Sequence, residues 1–160
     1  MTRWVIAAIA AMLTASPTLA QDKPAAKDSA AIEKCVKAKT GRHLAWEGYI
    51  GVISERCSKD EGSLTDRQVI DCYDRELAVW DDMLNKSYQA TLKALDTDQQ
   101  DKLREMQRAW ITSRNKTCEF LYDYFQGTMA NPMIAACKAR VTGRQALYLR
   151  GFAEDVADRK

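Results

Sequence analysis

Residues 63–126, SLTDRQVIDCYDRELAVWDDMLNKSYQATLKALDTDQQDKLREMQRAWITSRNKTCEFLYDYFQ, contain neither glycine nor proline. Because these two residues interrupt helices more strongly than any others, the stretch predicts long, unbroken helices. Its apolar residues recur at steps of three and four, which places them along one helical face. The first series is Val69, Tyr73, Leu77, Trp80, Leu84, Tyr88, Leu92 and Leu95. The second series, which includes two polar positions, is Leu103, Met106, Trp110, Arg114, Thr117, Leu121 and Tyr124.

Two helix starts and one helix end divide this stretch. Thr65 followed by Gln68 fits a capping box, in which each side chain hydrogen-bonds the other residue's backbone amide. Thr97 followed by Gln100 gives a second box, and Gly127 suits the end of the second helix. We therefore expect two long helices joined by a tight turn near residue 97 and folded as an antiparallel hairpin.

A third helix is predicted after the hairpin. Asn131 suits its N-cap and Pro132 its first position, where a missing N–H has no cost. Upstream, residues 31–39 predict a short helix, whereas the glycine-rich residues 41–64 predict an irregular segment held by cysteines. No stretch alternates as strands do. The expected fold is all-α, with a long antiparallel helical hairpin, a third packed helix and a disulfide-stabilised N-terminal segment.

Residues 1–20 have the features of a secretory signal peptide: Arg3 supplies a positive start, an apolar run follows, and small residues precede Ala20. The apolar run is about ten residues, shorter than the roughly 20 that span a membrane. We therefore expect cleavage after Ala20, a periplasmic or secreted bacterial protein, and no membrane span after signal removal. The expected division is a signal peptide at 1–20, an N-terminal helix and irregular segment at 21–56, a helical domain at 57–152, and a loose charged tail at 153–160.

Composition excludes several classes of function. Lys+Arg is 24 and Asp+Glu is 22, a formal net charge of +2, whereas nucleic-acid binders concentrate positive charge. The chain has one histidine and no C-x-x-C pair, which argues against a metal site. Cys35 and His43 form a conceivable nucleophile pair, but no oxyanion motif or orienting acid accompanies them. We expect no cofactor, no metal and no catalytic residue.

Polar side chains lie on or beside both apolar series: Asn85, Gln107, Arg114 and Arg144. Because buried polar groups need hydrogen-bond partners, one interpretation is a network that fixes helix register, with Arg114 stacked on Trp80. The other interpretation is a ligand site between the helices, and we favour the first. The acidic side chains of the first long helix are expected to be solvated charges rather than an acid–base pair: Glu76, Asp81 and Asp82.

Three motifs, taken together, resemble a known family. Residues 72–88 match the pattern C…E…WD..LN..Y, residues 107–118 match QRxWI..R…C, and residues 137–147 match C….T.R..L. In this order they resemble the LprI-type domain of small exported bacterial proteins, a family named after a lysozyme inhibitor. The resemblance extends over residues 57–150.

The resemblance implies an all-helical exported domain that inhibits lysozyme. Relatives often carry a cysteine where Tyr49 stands, so its absence implies that Cys35 is the unpaired thiol. This favours local Cys57–Cys72 and Cys118–Cys137 bridges, although Cys72–Cys118 stays open because the hairpin register brings those two residues within one turn. The family-motif residues are expected to form a structural network: Trp80, Asp81, Asn85, Tyr88, Gln107, Trp110, Arg114 and Arg144.

The leading functional hypothesis is a non-catalytic exported protein that binds a lysozyme or another periplasmic protein. Such an inhibitor needs a rigid loop that fills a glycan-binding cleft. The first choice for this contact is the loop after the second long helix: Gln126, Gly127, Thr128, Met129 and Asn131. Residues 58–62 are the second choice. The alternatives are a periplasmic interaction or envelope-stress module of unknown target, and an enzyme, which would require Glu76, Asp81 and Arg114 to converge in an open cleft.

Overall fold

The computed structural model of the chain describes residues 23–39, 46–60 and 64–159. The helices are α1 (Ala26–Lys39), a 3₁₀ helix (Trp46–Tyr49), α2 (Ser54–Asp60), α3 (Asp66–Ala94), α4 (Thr97–Phe125) and α5 (Ala130–Asp158). These residues contain no strand, so the all-α class is confirmed. The expected signal peptide lies outside them. None of the described helices combines the length and apolarity that crossing a bilayer requires.

α3 begins as the sequence predicts, but the second capping box is displaced by one residue. The Thr65 hydroxyl accepts from the backbone N–H of Gln68, whose side chain accepts from the Thr65 N–H. The second box is formed by Asp96 and Gln99 rather than by the pair that starts at Thr97. A carboxylate cap accepts the same hydrogen bond and also stabilises the positive end of the helix dipole, which favours Asp96.

α5 begins one residue before the expected cap. Met129 occupies the N-cap position and makes no side-chain cap hydrogen bond, so the prediction that Asn131 is the N-cap is wrong. The backbone N–H of Asn131 donates to the Thr128 carbonyl at 3.1 Å, because a turn precedes the helix and already orders its first residues. Pro132 remains within the first turn, where its missing N–H has no cost.

Residues 153–158 of the expected loose tail are helical. α5 continues to Asp158. Arg150 and Glu154 form an ion pair at 3.0 Å, and this four-residue spacing stabilises helices. Residues 152–159 contain no glycine or proline, so nothing in the sequence ends the helix earlier.

The most extensive helix contact in the described chain is between α3 and α5, and α4 makes a smaller contact with α5. The buried face of α5 carries mostly small residues, which let it lie close to α3: Ala135, Ala139, Thr142, Gly143 and Ala146. A Cβ on Gly143 would lie 3.1 Å from two atoms of the Trp80 ring. Trp80 is fully buried and lies in a core cluster with Ile32, Val79 and Leu149.

Within the segment predicted to be irregular, the described residues 46–60 contain two short helices, and Glu76 explains part of this order. Its carboxylate accepts from the backbone N–H groups of Gly51, Ile53 and Ser54 at 2.6, 3.2 and 2.9 Å, and from the Ser54 hydroxyl at 2.8 Å. The amides of Ile53 and Ser54 open α2 and have no partner within it. The prediction that Glu76 is a solvated charge is therefore wrong, since Glu76 is fully buried and caps α2 from another helix.

α1 begins at Ala26, five residues before the prediction, because a contact with α3 orders its first turn. Asp28 is buried and accepts two hydrogen bonds from the Arg75 guanidinium, at 3.0 and 2.9 Å. Further along α1, Glu33 pairs with Arg150 of α5 at 3.0 Å. Two ion pairs thus hold α1 against the long helices.

The structure contains the two local disulfides, Cys57–Cys72 and Cys118–Cys137. The first joins α2 to α3, and the second joins α4 to α5. Cys35 is a free, half-buried cysteine on α1. The alternative Cys72–Cys118 bridge is not formed.

Candidate functional site

Six of the eight residues expected in the family-motif network line one groove between α3 and α4. They are Asp81, Asn85, Tyr88, Gln107, Trp110 and Arg114. The α3–α4 groove has a volume of about 470 Å³. Residues 81–88 on one wall and 104–114 on the other match the antiparallel register of two helices that turn near residue 97. The motif residues therefore share a surface, as well as a sequence pattern.

The other two network residues lie elsewhere. Trp80 is fully buried, and its indole N–H donates to Glu76 at 3.1 Å. Arg144 lies exposed on α5. The guanidinium of Arg114 lies 5.1 Å from the ring centroid of Trp110, not over Trp80, so the expected stacking pair is wrong. Trp110 precedes Arg114 by one turn on α4, and this stack therefore needs no contact with α3.

Hydrogen bonds fix the polar side chains of the groove. On α3, the Asn85 amide donates to the Asp81 carboxylate at 3.2 Å. On α4, the buried Gln107 accepts from Gln145 of α5 at 3.1 Å. The Gln107 bond joins α4 to α5. The groove is thus held in shape from both sides while remaining open to solvent.

Arg114 adds a second link between α4 and α5. Its guanidinium donates to the Thr142 hydroxyl at 3.4 Å and to the Asn115 side chain at 3.2 and 3.1 Å. Together with its stack on Trp110, these bonds orient both side chains. The register interpretation and the ligand-site interpretation both remain compatible with this geometry.

The three residues that an enzyme would need do not meet in an open cleft. Glu76 is fully buried and its carboxylate is occupied by α2 amides, the Ser54 hydroxyl and the Trp80 indole. Asp81 and Arg114 line the α3–α4 groove instead. These residues therefore provide no paired acid and base. Among the described residues, no cluster of three or more His, Cys, Asp or Glu side chains has the arrangement of a metal site.

The loop predicted for partner contact is exposed at all five positions: Gln126, Gly127, Thr128, Met129 and Asn131. Gln126 and Gly127 both have positive φ, 53° and 77°, which reverses the chain at the end of α4. Gly127 adopts this conformation without a steric cost, whereas Gln126 adopts it at a steric cost because it has a Cβ atom. The Cys118–Cys137 bridge closes the base of the loop. We call residues 119–133 the apex. The second-choice loop, 58–62, lies partly outside the described residues.

The apex exposes large apolar side chains, and the sequence pattern predicts the position of only some of them correctly. Tyr124, expected on the inward face of the second helix, is 69% exposed, so that assignment is wrong. The pattern defines a face of α4, but α5 rather than α4 makes the main contact with α3, and this face is left uncovered at its end. The other exposed apolar side chains of the apex are Phe120, Tyr122, Phe125, Met129 and Met133.

One sequence signal indicates this exposure. The aromatic residues of 120–125 stand at positions 120, 122, 124 and 125, which point to different sides of a helix. No single buried face can cover all of them. Two rings nevertheless contact each other, since Tyr124 and Phe125 meet edge to face at 4.9 Å between centroids.

The charge of the apex is purely acidic. Between Lys116 and Lys138 the only charged residues are Glu119 and Asp123, and both are exposed. Residues 124–137 carry no charge at all. The apex therefore combines an uncharged aromatic tip with two carboxylates directly behind it.

Comparison with known proteins identifies a family that matches the chain. The family model described as lysozyme inhibitor LprI matches residues 57–149, more than half of the chain. This range contains both disulfides, the α3–α4 groove and the apex. No curated protein and no solved structure is significantly similar to the chain.

Proposed function

The chain belongs to the lysozyme inhibitor LprI family, and from this membership we propose that it is an exported, non-catalytic protein that inhibits a lysozyme or another muramidase. The two disulfides support export, because such bonds persist in oxidising compartments. The inhibitor binds its target through a surface and needs no chemistry of its own.

The observation that carries this proposal is the exposed aromatic apex. Tyrosine and phenylalanine side chains are enriched at protein–protein contacts because they bury a large area at a small entropic cost. Tyr124 and Met129 are among the most exposed large side chains of the described residues, at 69% and 66%. A projecting loop with such side chains suits the concave glycan-binding cleft of a muramidase.

The apex is also held in a fixed shape. The Cys118–Cys137 bridge joins the two helices that carry it, and α4 ends in a defined turn at Gln126 and Gly127. A loop that is ordered before binding loses less conformational entropy in the complex, so more of the contact energy becomes affinity. This rigidity is what a cleft-filling inhibitor requires.

Charge supports the same orientation. Lysozymes of the host type are strongly basic proteins with an acidic cleft. The uncharged residues 124–137 would enter such a cleft without repulsion, while Glu119 and Asp123 would face the basic surface around it. Complementary charge at the rim of an interface raises the association rate more than the final affinity.

A lysis assay tests the proposal. Purified mature protein is mixed with lysozymes of several structural classes, and the clearing of a cell-wall suspension is followed. We expect loss of lysis rate for at least one class, with an endpoint of one inhibitor per enzyme that does not change with longer incubation. No loss of rate at micromolar protein for any class would contradict the proposal. Inactivation of excess lysozyme that increases with time would instead show catalysis.

A further inference from the structure

The α3–α4 groove is a different surface from the aromatic tip of the apex and has the size of a small-molecule site. Arg108, on its wall, precedes Phe125 by 17 residues of α4, about 25 Å at the helical rise. The groove volume of about 470 Å³ is within the range of ligand pockets. An inhibitory contact at the aromatic tip, residues 124–131, therefore leaves the part of the groove around Arg108 free.

The walls of the groove present aromatic rings beside fixed polar groups. Tyr88 and Trp110 are half-buried, one on each wall. The Asn85 amide and the Asp81 carboxylate are joined by a hydrogen bond at 3.2 Å. Gln107 accepts from Gln145 through its amide oxygen, which fixes the orientation of the amide group. An aromatic surface next to amide and carboxylate groups suits a sugar ring, which is apolar on its faces and carries hydroxyls around its edge.

The groove also has a positive charge excess. It contains three arginines, Arg104, Arg108 and Arg114, and one carboxylate, Asp81. Arg104 is bonded to Asp101 and Gln100 on its own helix, and Arg114 is bonded as described above. The guanidinium of Arg108 is exposed and has no hydrogen-bond or ion-pair partner within the described residues. Arginine is the side chain best suited to a carboxylate, because it can donate two parallel hydrogen bonds.

From this combination we propose that the α3–α4 groove binds a carboxylate-bearing saccharide. The sugar ring stacks on Trp110 or Tyr88, the amides of Asn85 and Gln107 meet its hydroxyl or N-acetyl groups, and Arg108 binds its carboxylate. The proposal does not depend on inhibition of a muramidase, since it concerns a different surface. It assigns a ligand to the family-motif residues, whose hydrogen bonds shape the groove.

Calorimetric titration of the full mature chain tests the assignment with three probes. These are a disaccharide of N-acetylglucosamine and N-acetylmuramic acid, an oligomer of galacturonic acid, and a neutral N-acetylglucosamine oligomer. We expect saturable binding of one or both acidic sugars and at least tenfold weaker binding of the neutral sugar, since a charge-assisted hydrogen bond contributes roughly that factor or more. The two acidic probes distinguish a cell-wall glycan from a uronate as the source of the carboxylate.

A matched pair of variants separates a built site from general charge attraction. Arg108→Ala removes the groove guanidinium, and Arg140→Ala removes an exposed arginine of α5 outside the groove. We expect about tenfold loss of acidic-sugar affinity for Arg108→Ala and no change for Arg140→Ala. Both side chains are exposed, so unchanged circular dichroism is expected for both. Equal losses in the two variants, equal binding of the neutral sugar, or no saturable binding by the wild type would each overturn the proposal.

Discussion

The close approach of α5 to α3 makes opposite predictions for two glycines of one helix. Gly143 is buried, and a Cβ there would lie 3.1 Å from the Cε2 and Nε1 atoms of Trp80. Gly151 is exposed, and a Cβ there would meet nothing within 4 Å. Replacing either glycine with alanine favours the helical conformation by about 0.5–1 kcal/mol. The two variants therefore differ only in what the added methyl group meets.

At Gly143 the neighbouring ring cannot easily move away. Trp80 is fully buried, and its indole N–H is held by Glu76 at 3.1 Å. Overpacking of this kind costs about 1–3 kcal/mol, which exceeds the propensity gain. We expect Gly143→Ala to lower the free energy of unfolding by about 1 kcal/mol and Gly151→Ala to raise it by about 0.5–1 kcal/mol.

Urea unfolding followed by far-ultraviolet circular dichroism measures both changes against the wild type. The slope of each transition shows whether the comparison is between the same folded and unfolded states. Equal stabilisation by the two alanines would mean that α5 does not lie against the Trp80 ring at residue 143.

Three further predictions concern the buried carboxylate, a surface carboxyl and the apex bridge. Glu76→Gln should lower the unfolding free energy by about 3 kcal/mol, since an amide cannot accept all the hydrogen bonds now made to the carboxylate. The same substitution at the exposed Glu105 should change it by less than about 0.5 kcal/mol. Equal urea midpoints for the two variants would contradict this. Asp74 lies at the surface, but partial desolvation of its carboxyl, followed by the charge of Asp71, raises its pKa, so its charged form destabilises the fold and Asp74→Asn should be more stable than wild type at pH 7. That advantage should start to fall as the pH drops through the folded pKa and vanish below the lower pKa of the unfolded chain, and a difference in stability that does not depend on pH would disprove the cause. Replacing Cys118 and Cys137 together with serine should cost about 3 kcal/mol in thermal or urea unfolding and reduce lysozyme inhibition, and an unchanged stability would show that the bridge constrains nothing.

The long helices could be predicted because their signals are local. The absence of glycine and proline over residues 63–126, and the reciprocal bonds of Thr65 and Gln68, depend only on neighbours along one helix. The displaced start of α4 also has a local cause. Asp96 competes with Thr97 for the same capping position, and the sequence pattern alone does not rank the two.

The role of Glu76 could not be read from the sequence in the same way. A glutamate within a helix looks the same whether it is solvated or buried, and the amides that bind it are 22 to 25 residues away. Gly143 is similar, since it looks like a weak point of α5 until Trp80 is placed against it. Both roles arise from contacts between elements.

The candidate sites also combine features that local sequence predicts with features that arise only from contacts between helices. The motif residues predicted as one network are divided by the fold among the α3–α4 groove, the core, where Trp80 lies, and the exposed side of α5, where Arg144 lies. The main helix contact of α3 is with α5 rather than with α4. The sequence predicts the partner-contact loop, because it is a connection between two helices. It does not predict the exposed aromatic residues beside the loop, because their exposure depends on which part of α4 is covered by other helices. Apolar periodicity predicts a face and does not say what packs on it.

One pair of tyrosines tests whether the apex contacts a muramidase. Tyr124 lies at the apex, and Tyr148 is an exposed tyrosine of α5, 18 residues beyond the start of that helix, or about 27 Å along its axis. We predict that Tyr124→Ala raises the inhibition constant of the lysis assay about tenfold or more, as truncation of a central aromatic contact does, while Tyr148→Ala leaves it unchanged. Equal inhibition by wild type and Tyr124→Ala, or a larger loss for Tyr148→Ala, would show that the apex is not the contact surface.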